Sequence, residues 1–224
     1  CTVVLRPAQE TPLTTLRLGE LILEAGFPPG VVNIVTGFGP EVPAALANHH
    51  DVDMVSFTGS TAVGRKIVEA AGNSNLKRVC LELGGNRPVI VCADADLDAA
   101  AQAAVDGLMI NSGQMCFAGS RLLVERSIFD AFMQRVASIA GAMRLGPGWD
   151  SAAALGPLIS ARQRDSVAQV VAQACATPGI SLLTGGKACE GAGFFYEPTV
   201  FACPDHSAAI VQMEVFGPVI TGTP

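Results

Sequence analysis

One cysteine of seven stands apart by its surroundings. Cys116 lies in the stretch Asn111-Ser112-Gly113-Gln114-Met115-Cys116-Phe117-Ala118-Gly119-Ser120-Arg121, a polar loop bracketed by glycines after a helical pattern and before a strand pattern. A thiol in such a loop is accessible and adaptable in a way that a core cysteine is not. As a thiolate it is a strong nucleophile and later a good leaving group. Cys1, Cys80, Cys92, Cys175, Cys189 and Cys203 read mostly as small buried hydrophobes. No C-x-x-C pair occurs, so no metal site is expected.

Three further segments carry possible chemistry. In Leu81-Glu82-Leu83-Gly84-Gly85 one acid ends an apolar strand beside glycines that would let a ligand approach the backbone. Burying a carboxylate is costly, so Glu82 is either an edge residue facing water or a tuned acid or base. In Phe57-Thr58-Gly59-Ser60-Thr61-Ala62-Val63-Gly64 a strand breaks at glycine and a helix opens on hydroxyls. Unpaired N–H groups and the helix dipole make that end an anion site, although an ordinary N-cap has the same pattern. It matches neither a phosphate-binding P-loop nor a G-x-G-x-x-G fingerprint, and Gly37-Phe38-Gly39 begins such a fingerprint but has Val42 at its last position. Met213-Glu214-Val215-Phe216-Gly217-Pro218 sets an acid and an aromatic two residues apart, on one side if the segment is extended. A salt-bridged Glu and a core Phe would look the same.

The elements that must position these residues alternate. Strands are expected at 2–5, 31–35, 54–57 and 78–83, with helices at 11–25, near 40–49 and at 60–71. Thr11 and Pro12 open the first helix, which carries apolar Leu13, Leu16, Leu21 and Leu23. Continuous apolar strands separated by helices fit a parallel sheet covered on both faces. After the paired glycines the pattern gives a strand at 88–91, helices at 94–109, 127–143 and 160–176, and strands at 121–125, 181–183 and 199–201. The last strand, at Val219 and Ile220, is expected to be cut short by Gly222 and Pro224. The fold class is therefore α/β, with a parallel-sheet, Rossmann-like part over residues 1–83 and a second α/β domain over 84–224.

Composition narrows the function. Half of the 224 residues are hydrophobic, only 15% are charged and the net charge is −6. A chain this apolar is not disordered, and the acidic balance without a basic stripe argues against nucleic-acid binding. No run is long and apolar enough to span a membrane. An odd cysteine count without a signal peptide favours reduced thiols and a cytoplasmic setting. The chain opens on Cys1, with no leader preceding Val3-Val4-Leu5, so an internal slice of a longer protein is expected.

Taken in order, Phe57 to Ser60, Leu81 to Gly85, Gly113 to Cys116 and Glu214 to Pro218 resemble the NAD(P)-dependent aldehyde dehydrogenase superfamily. Leu155-Gly156-Pro157-Leu158-Ile159 and Tyr196-Glu197-Pro198-Thr199-Val200 look like its connecting segments, and the similarity covers essentially the whole chain. The resemblance implies that Cys116 attacks an aldehyde carbonyl, that hydride passes to the nicotinamide, and that Glu82 activates the water that hydrolyses the thioester. Glu82 argues against relatives that transfer the acyl group to coenzyme A. The Cys116 N–H would be one oxyanion donor, the family's second being an Asn upstream of residue 1.

For the cofactor, NAD or NADP, the resemblance implies pyrophosphate binding at Ser60 with Gly59 and Val63 at the helix start. It implies ring approach at Leu83 and Gly84, ribose contacts from Glu214 and packing from Phe216. The family's Lys-Pro-x-Glu stands here as Arg6-Pro7-Ala8-Gln9, so loss of the acid at Gln9 is expected to improve tolerance of NADP. A homo-oligomer, dimer or tetramer, is implied for the whole protein. Met109, Met115 and Phe117 suggest an apolar tunnel for the aldehyde, or plain packing. Two other readings stand beside this one. The first is a non-catalytic fragment acting as a structural or interaction module. The second, a cysteine protease, is disfavoured because His49, His50 and His206 fall at a helix end and a turn.

Overall fold

The structure is a computed structural model that describes all residues 1–224. The chain is α/β with parallel strands and divides into two compact units, Cys1–Gly84 and Gly85–Pro224.

In the first unit the order is β1 (Val3–Leu5), α1 (Pro12–Glu24), β2 (Val32–Ile34), α2 (Glu41–Asn48), β3 (Met54–Thr58), α3 (Thr61–Gly72) and β4 (Arg78–Glu82). The strands pair only in twos, β1 with β2 and β3 with β4, both parallel. Within these residues the expected parallel pairing is present, in pairs of strands. Every residue of β1 is exposed and α1 buries none of its residues. Two-stranded sheets give the helices too little apolar surface to close over. Pro12 starts α1 as expected, but the Thr11 side chain makes no capping bond. The unit is instead tied by specific bonds. Buried Lys77 donates from Nζ to Ala47 O and Ser74 Oγ, both at 2.7 Å, and Asn75 Nδ2 donates to His50 O at 2.6 Å.

The second unit runs β5 (Pro88–Val91), α4 (Leu97–Met109), β6 (Arg121–Val124), α5 (Phe129–Gly141), α6 (Ala161–Cys175), β7 (Ser181–Thr184), β8 (Thr199–Ala202), α7 (Ala209–Gln212) and β9 (Val219–Thr223). Its five strands lie in the order β5-β6-β9-β8-β7, all parallel except the antiparallel edge strand β7. Alternate strand residues face opposite layers. Leu122, Val124, Val200 and Ile220 pack with Leu108, Phe132 and Val136 of α4 and α5 in one cluster. Phe201 and Val219 pack with Val167, Val171 and Tyr196 in a second cluster, into which Ile210 and Val211 of α7 also fall. Two layers cover one sheet, and its strands are buried accordingly.

Two expectations are corrected here. Of the two residues expected to cut the last strand short, Pro224 does follow its end, but Gly222 does not interrupt it: β9 continues through Gly222 to Thr223 and lies between β6 and β8. The glycine makes room for Met133 of α5, the end of whose side chain occupies the space that a Cβ at residue 222 would fill. The helix expected from residue 94 begins at Leu97, since Asp96 is its N-cap and accepts from the N–H groups of Asp98 and Ala99 at 3.1 and 3.2 Å.

Candidate functional site

In the second unit three segments enter the sheet at one end. Residues 85–86 precede β5, 111–120 precede β6 and 213–218 precede β9, and because these strands are parallel their preceding segments meet. Cys116 sits half-buried in a tight turn closed by Ala118 N donating to Met115 O at 3.1 Å. The backbone is crowded around it. A Cβ at Gly85 would lie 2.8 Å from Cys116 O, and Gly113 lies so close to the Gly217 carbonyl and to Pro218 N that no side chain fits. Thus the loop carrying Cys116 and the segment carrying Glu214 and Phe216 are in direct contact.

The Glu214 and Phe216 geometry differs from the extended segment read from the sequence. Phe216 has a left-handed backbone, φ 55°, so the two side chains do not simply alternate along a strand. Gln163 Nε2 donates to Phe216 O at 2.9 Å and holds that conformation. Phe216 is partly exposed and Glu214 is half-buried. Glu214 Oε1 is fully buried without a hydrogen-bond partner, and a carboxylate oxygen left in that state accepts readily from a hydroxyl donor. The residues that could hold a cofactor ribose are therefore compatible with one.

The first unit places the other candidates by itself. Ser60 is the N-cap of α3 and its Oγ accepts from Val63 N at 3.4 Å, so the ordinary capping role is occupied. The first helical N–H groups still lack intrahelical partners, as at any helix start. Gly59 N donates to Glu82 O at 3.0 Å, and the Phe57 ring fills the space a Cβ at Gly59 would take. Leu83 packs on α3, 2.7 Å from the Cβ position of Gly64, a packing role besides any ring contact. Glu82, at the end of β4 opposite Thr58, is exposed, as is Gly84. Arg6 donates from NH2 to Gly37 O at 2.9 Å, which joins the Arg6-Pro7 segment to the Gly37-Phe38-Gly39 turn. Gln9 is exposed, and its Nε2 donates to Glu10 Oε1 at 2.9 Å.

Sequence reasoning missed two residues. Glu10 keeps a carboxylate one position beyond Gln9, a signal that stood in the next letter of the sequence. Asn86 ties its own segment to α7 and to the end of the Cys116 loop: its Nδ2 donates to Val211 O at 2.8 Å, its Oδ1 accepts from Ser120 Oγ at 3.3 Å, and its carbonyl accepts from Arg121 at 3.2 Å. No local pattern pointed to it.

The cysteine reading needs correction as well. Only Cys203 is buried, while Cys1, Cys80, Cys92 and Cys175 are exposed and Cys116 and Cys189 are intermediate. Cys80 alternates outward on β4, and Cys175 ends α6 beyond its packed face, so residue type alone did not decide burial. Burial pushes the Cys203 thiol up to about 11 and the Tyr196 hydroxyl up to about 12. Of the three residues expected along a tunnel, Met109 is core, Met115 packs against the core and Phe117 is exposed. No group of three or more His, Cys, Asp or Glu could hold a metal ion.

With this geometry in place the comparisons are decisive. The aldehyde dehydrogenase family profile matches residues 1–224. The chain belongs to the aldehyde dehydrogenase family. It is 50% identical over 218 residues to retinal dehydrogenase 2 of Gallus gallus, covering 97% of this chain and 42% of that protein. It is 45% identical to a mitochondrial aldehyde dehydrogenase of Leishmania tarentolae, covering 97% of this chain and 44% of that protein. A mutant aldehyde dehydrogenase from Bacillus cereus superposes with a TM-score of 0.96 at 43% identity, covering 100% of this chain and 45% of that one. A betaine aldehyde dehydrogenase variant from Staphylococcus aureus, in complex with NAD+ and with a BME-modified cysteine, gives 0.94 at 42% identity, covering 99% and 45%. The chain thus spans less than half the length of these aldehyde dehydrogenases. No helix is long and apolar enough to cross a membrane.

Proposed function

We propose that the protein to which these residues belong oxidises an aldehyde to a carboxylic acid with NAD or NADP. The contact of the Cys116 loop with the Glu214–Phe216 segment through Gly113 and Gly217 carries this reading. Cys116 Sγ adds to the carbonyl carbon and forms a thiohemiacetal, whose oxyanion accepts from the Cys116 N–H. Bound NAD(P) supplies the two-electron acceptor for the hydrogen leaving that carbon. Glu82 takes a proton from water as the water attacks the resulting thioester, the C–S bond breaks, and the thiolate of Cys116 is restored. Glu214 accepts from the nicotinamide ribose, Phe216 packs beside the ring, and Leu83 and Gly84 leave room for it. Ser60 with Gly59 and Val63 faces the pyrophosphate, and Arg6 with Gln9 the adenosine end. The Staphylococcus aureus relative, with NAD+ bound and a modified cysteine, supports the cofactor and a reactive thiol.

Cys116→Ala in the full-length protein is expected to reduce aldehyde-dependent NAD(P)H formation to background, and retained turnover would refute the nucleophile. Gln9 weakens discrimination against a 2′-phosphate, and Glu10 restores part of it. The ratio of kcat/KM for NAD over NADP is therefore expected to stay below about 100. A homo-oligomer in the cytoplasm, dimer or tetramer, completes the proposal and is measured by light scattering and by fractionation. A second reading, in which the 224 residues alone form a non-catalytic module, is favoured by the sparse burial of the first unit. Incubating this chain with propanal and NAD(P) separates the two.

A further inference from the structure

The loop that leads to Cys116 is built from the rarest backbone in the molecule. Asn111 (φ 50°, ψ 34°), Ser112 (φ 57°, ψ 35°) and Gly113 (φ 74°) form a run of left-handed residues. Asn tolerates that backbone but Ser112 rarely adopts it, and a run of three such residues persists only where its surroundings impose it. Two amide side chains impose it reciprocally: Asn111 Nδ2 donates to Gln114 O at 3.1 Å, and Gln114 Nε2 donates to Asn111 O at 3.2 Å. Gln114 N also donates to Asn111 O at 3.1 Å. The turn is anchored outward by Ser112 Oγ to Gly156 O at 2.9 Å and by Ile159 N to Gln114 Oε1 at 3.0 Å.

We propose that Asn111 and Gln114 are positioning residues, a reciprocal amide bracket that locks the left-handed turn and thereby aims Cys116. This rests on the reading of Cys116 as nucleophile. The bracket's own bonds are solvent-exposed, where hydrogen bonds contribute little to global stability. Its weight falls on orientation instead, because Cys116 follows Gln114 by only two residues, and the turn Met115–Ala118 begins where the bracket ends. A stability device would sit in the core; this one sits on the reactive loop.

The test uses the full-length protein with Asn111→Ala, Gln114→Ala and Asn111→Gly. The readouts are kcat, the Kd of NAD+, and the rate of iodoacetamide alkylation of Cys116 relative to exposed Cys175, followed by peptide mass spectrometry. Both Ala variants are expected to lose about 10- to 100-fold in kcat, with Kd for NAD+ unchanged and Cys116 alkylation altered against Cys175. Asn111→Gly, which adopts the left-handed turn without strain, is expected to recover most of that loss. If an Ala variant fails to fold, Gln114→Glu keeps the acceptor for Ile159 N but sets an oxygen against Asn111 O, and the same fall in kcat is expected. Ala variants within about twofold of wild type in both kcat and alkylation overturn the proposal. So does Asn111→Gly as impaired as Asn111→Ala, or a fall in kcat matched by the Kd for NAD+. If the unaltered protein forms no NAD(P)H with any aldehyde, the functional reading fails instead, and the alkylation rates still judge the bracket.

Discussion

Strand β1 leaves all three of its residues exposed and α1 buries none, whereas every residue of β9 is buried between two strands and two layers of helix. Both units alternate strands with helices, yet only the second reaches five strands and covers both faces. Parallel strands depend on that cover, because their side chains are apolar on both sides. The second unit is therefore a rigid platform on which the loops of Cys116, Glu214 and Phe216 are mounted. The first unit holds its motifs by individual hydrogen bonds, such as the Ser60 cap, the Arg6 clasp on Gly37 and the Lys77 bonds to Ala47 and Ser74.

The sharpest way to break this contrast is to remove a large side chain from each unit. Phe132→Ala in the second unit empties a site with no exposure and is expected to cost about 3–5 kcal/mol in urea unfolding followed by circular dichroism. Leu13→Ala in the first, where Leu13 is 77% exposed, should change it by no more than about 0.5 kcal/mol. Equal losses would show that the first unit has a core of comparable weight.

A smaller effect belongs to alkaline pH. The Cys203 thiol is raised by burial from 9.0 to about 11, so the fold favours its neutral form and the unfolded chain releases that proton first. The stabilisation is complete below about pH 9 and is lost as pH rises towards about 11, on the order of 2 kcal/mol. Tyr196, raised from 10.0 to about 12 chiefly by burial, extends the loss upward. Urea midpoints for Cys203→Val should fall less between these pH values than for the parent. The smallest effect is a gain. Leu76 is 80% exposed with φ 58°, and Leu76→Asn, which tolerates that backbone, should raise stability by about 0.5 kcal/mol in the same assay.

Much of this was legible in the sequence because it is local. The helix at Ala161–Cys175 and its Ser160 cap, which accepts from Gln163 N at 3.2 Å, follow from a hydroxyl standing before a helical apolar period. The exposed polar setting of the Cys116 loop follows from its glycines and amides. What was not legible depended on neighbours distant along the chain. Gly222 looked like a strand end until Met133 supplied a reason for it, and four cysteines that looked buried were exposed because their faces are uncovered. The turn at Phe216 gave no warning, since only its bond from Gln163 and the close packing at Gly217 and Val167 explain it.

Residue types and order by themselves determined the alternation of elements, the polar Gly-bracketed setting of Cys116 and the family to which the chain belongs, because each is written in short stretches of adjacent letters. The tertiary structure alone decided that β9 pairs with β6, with Arg121 opposite Thr221, although a long stretch of chain separates them. That pairing carries the Glu214–Phe216 segment to the end of the sheet where Cys116 waits. No local propensity specifies it; it arises because burying both faces of a parallel sheet leaves the apolar residues of β9 one place to go, between β6 and β8.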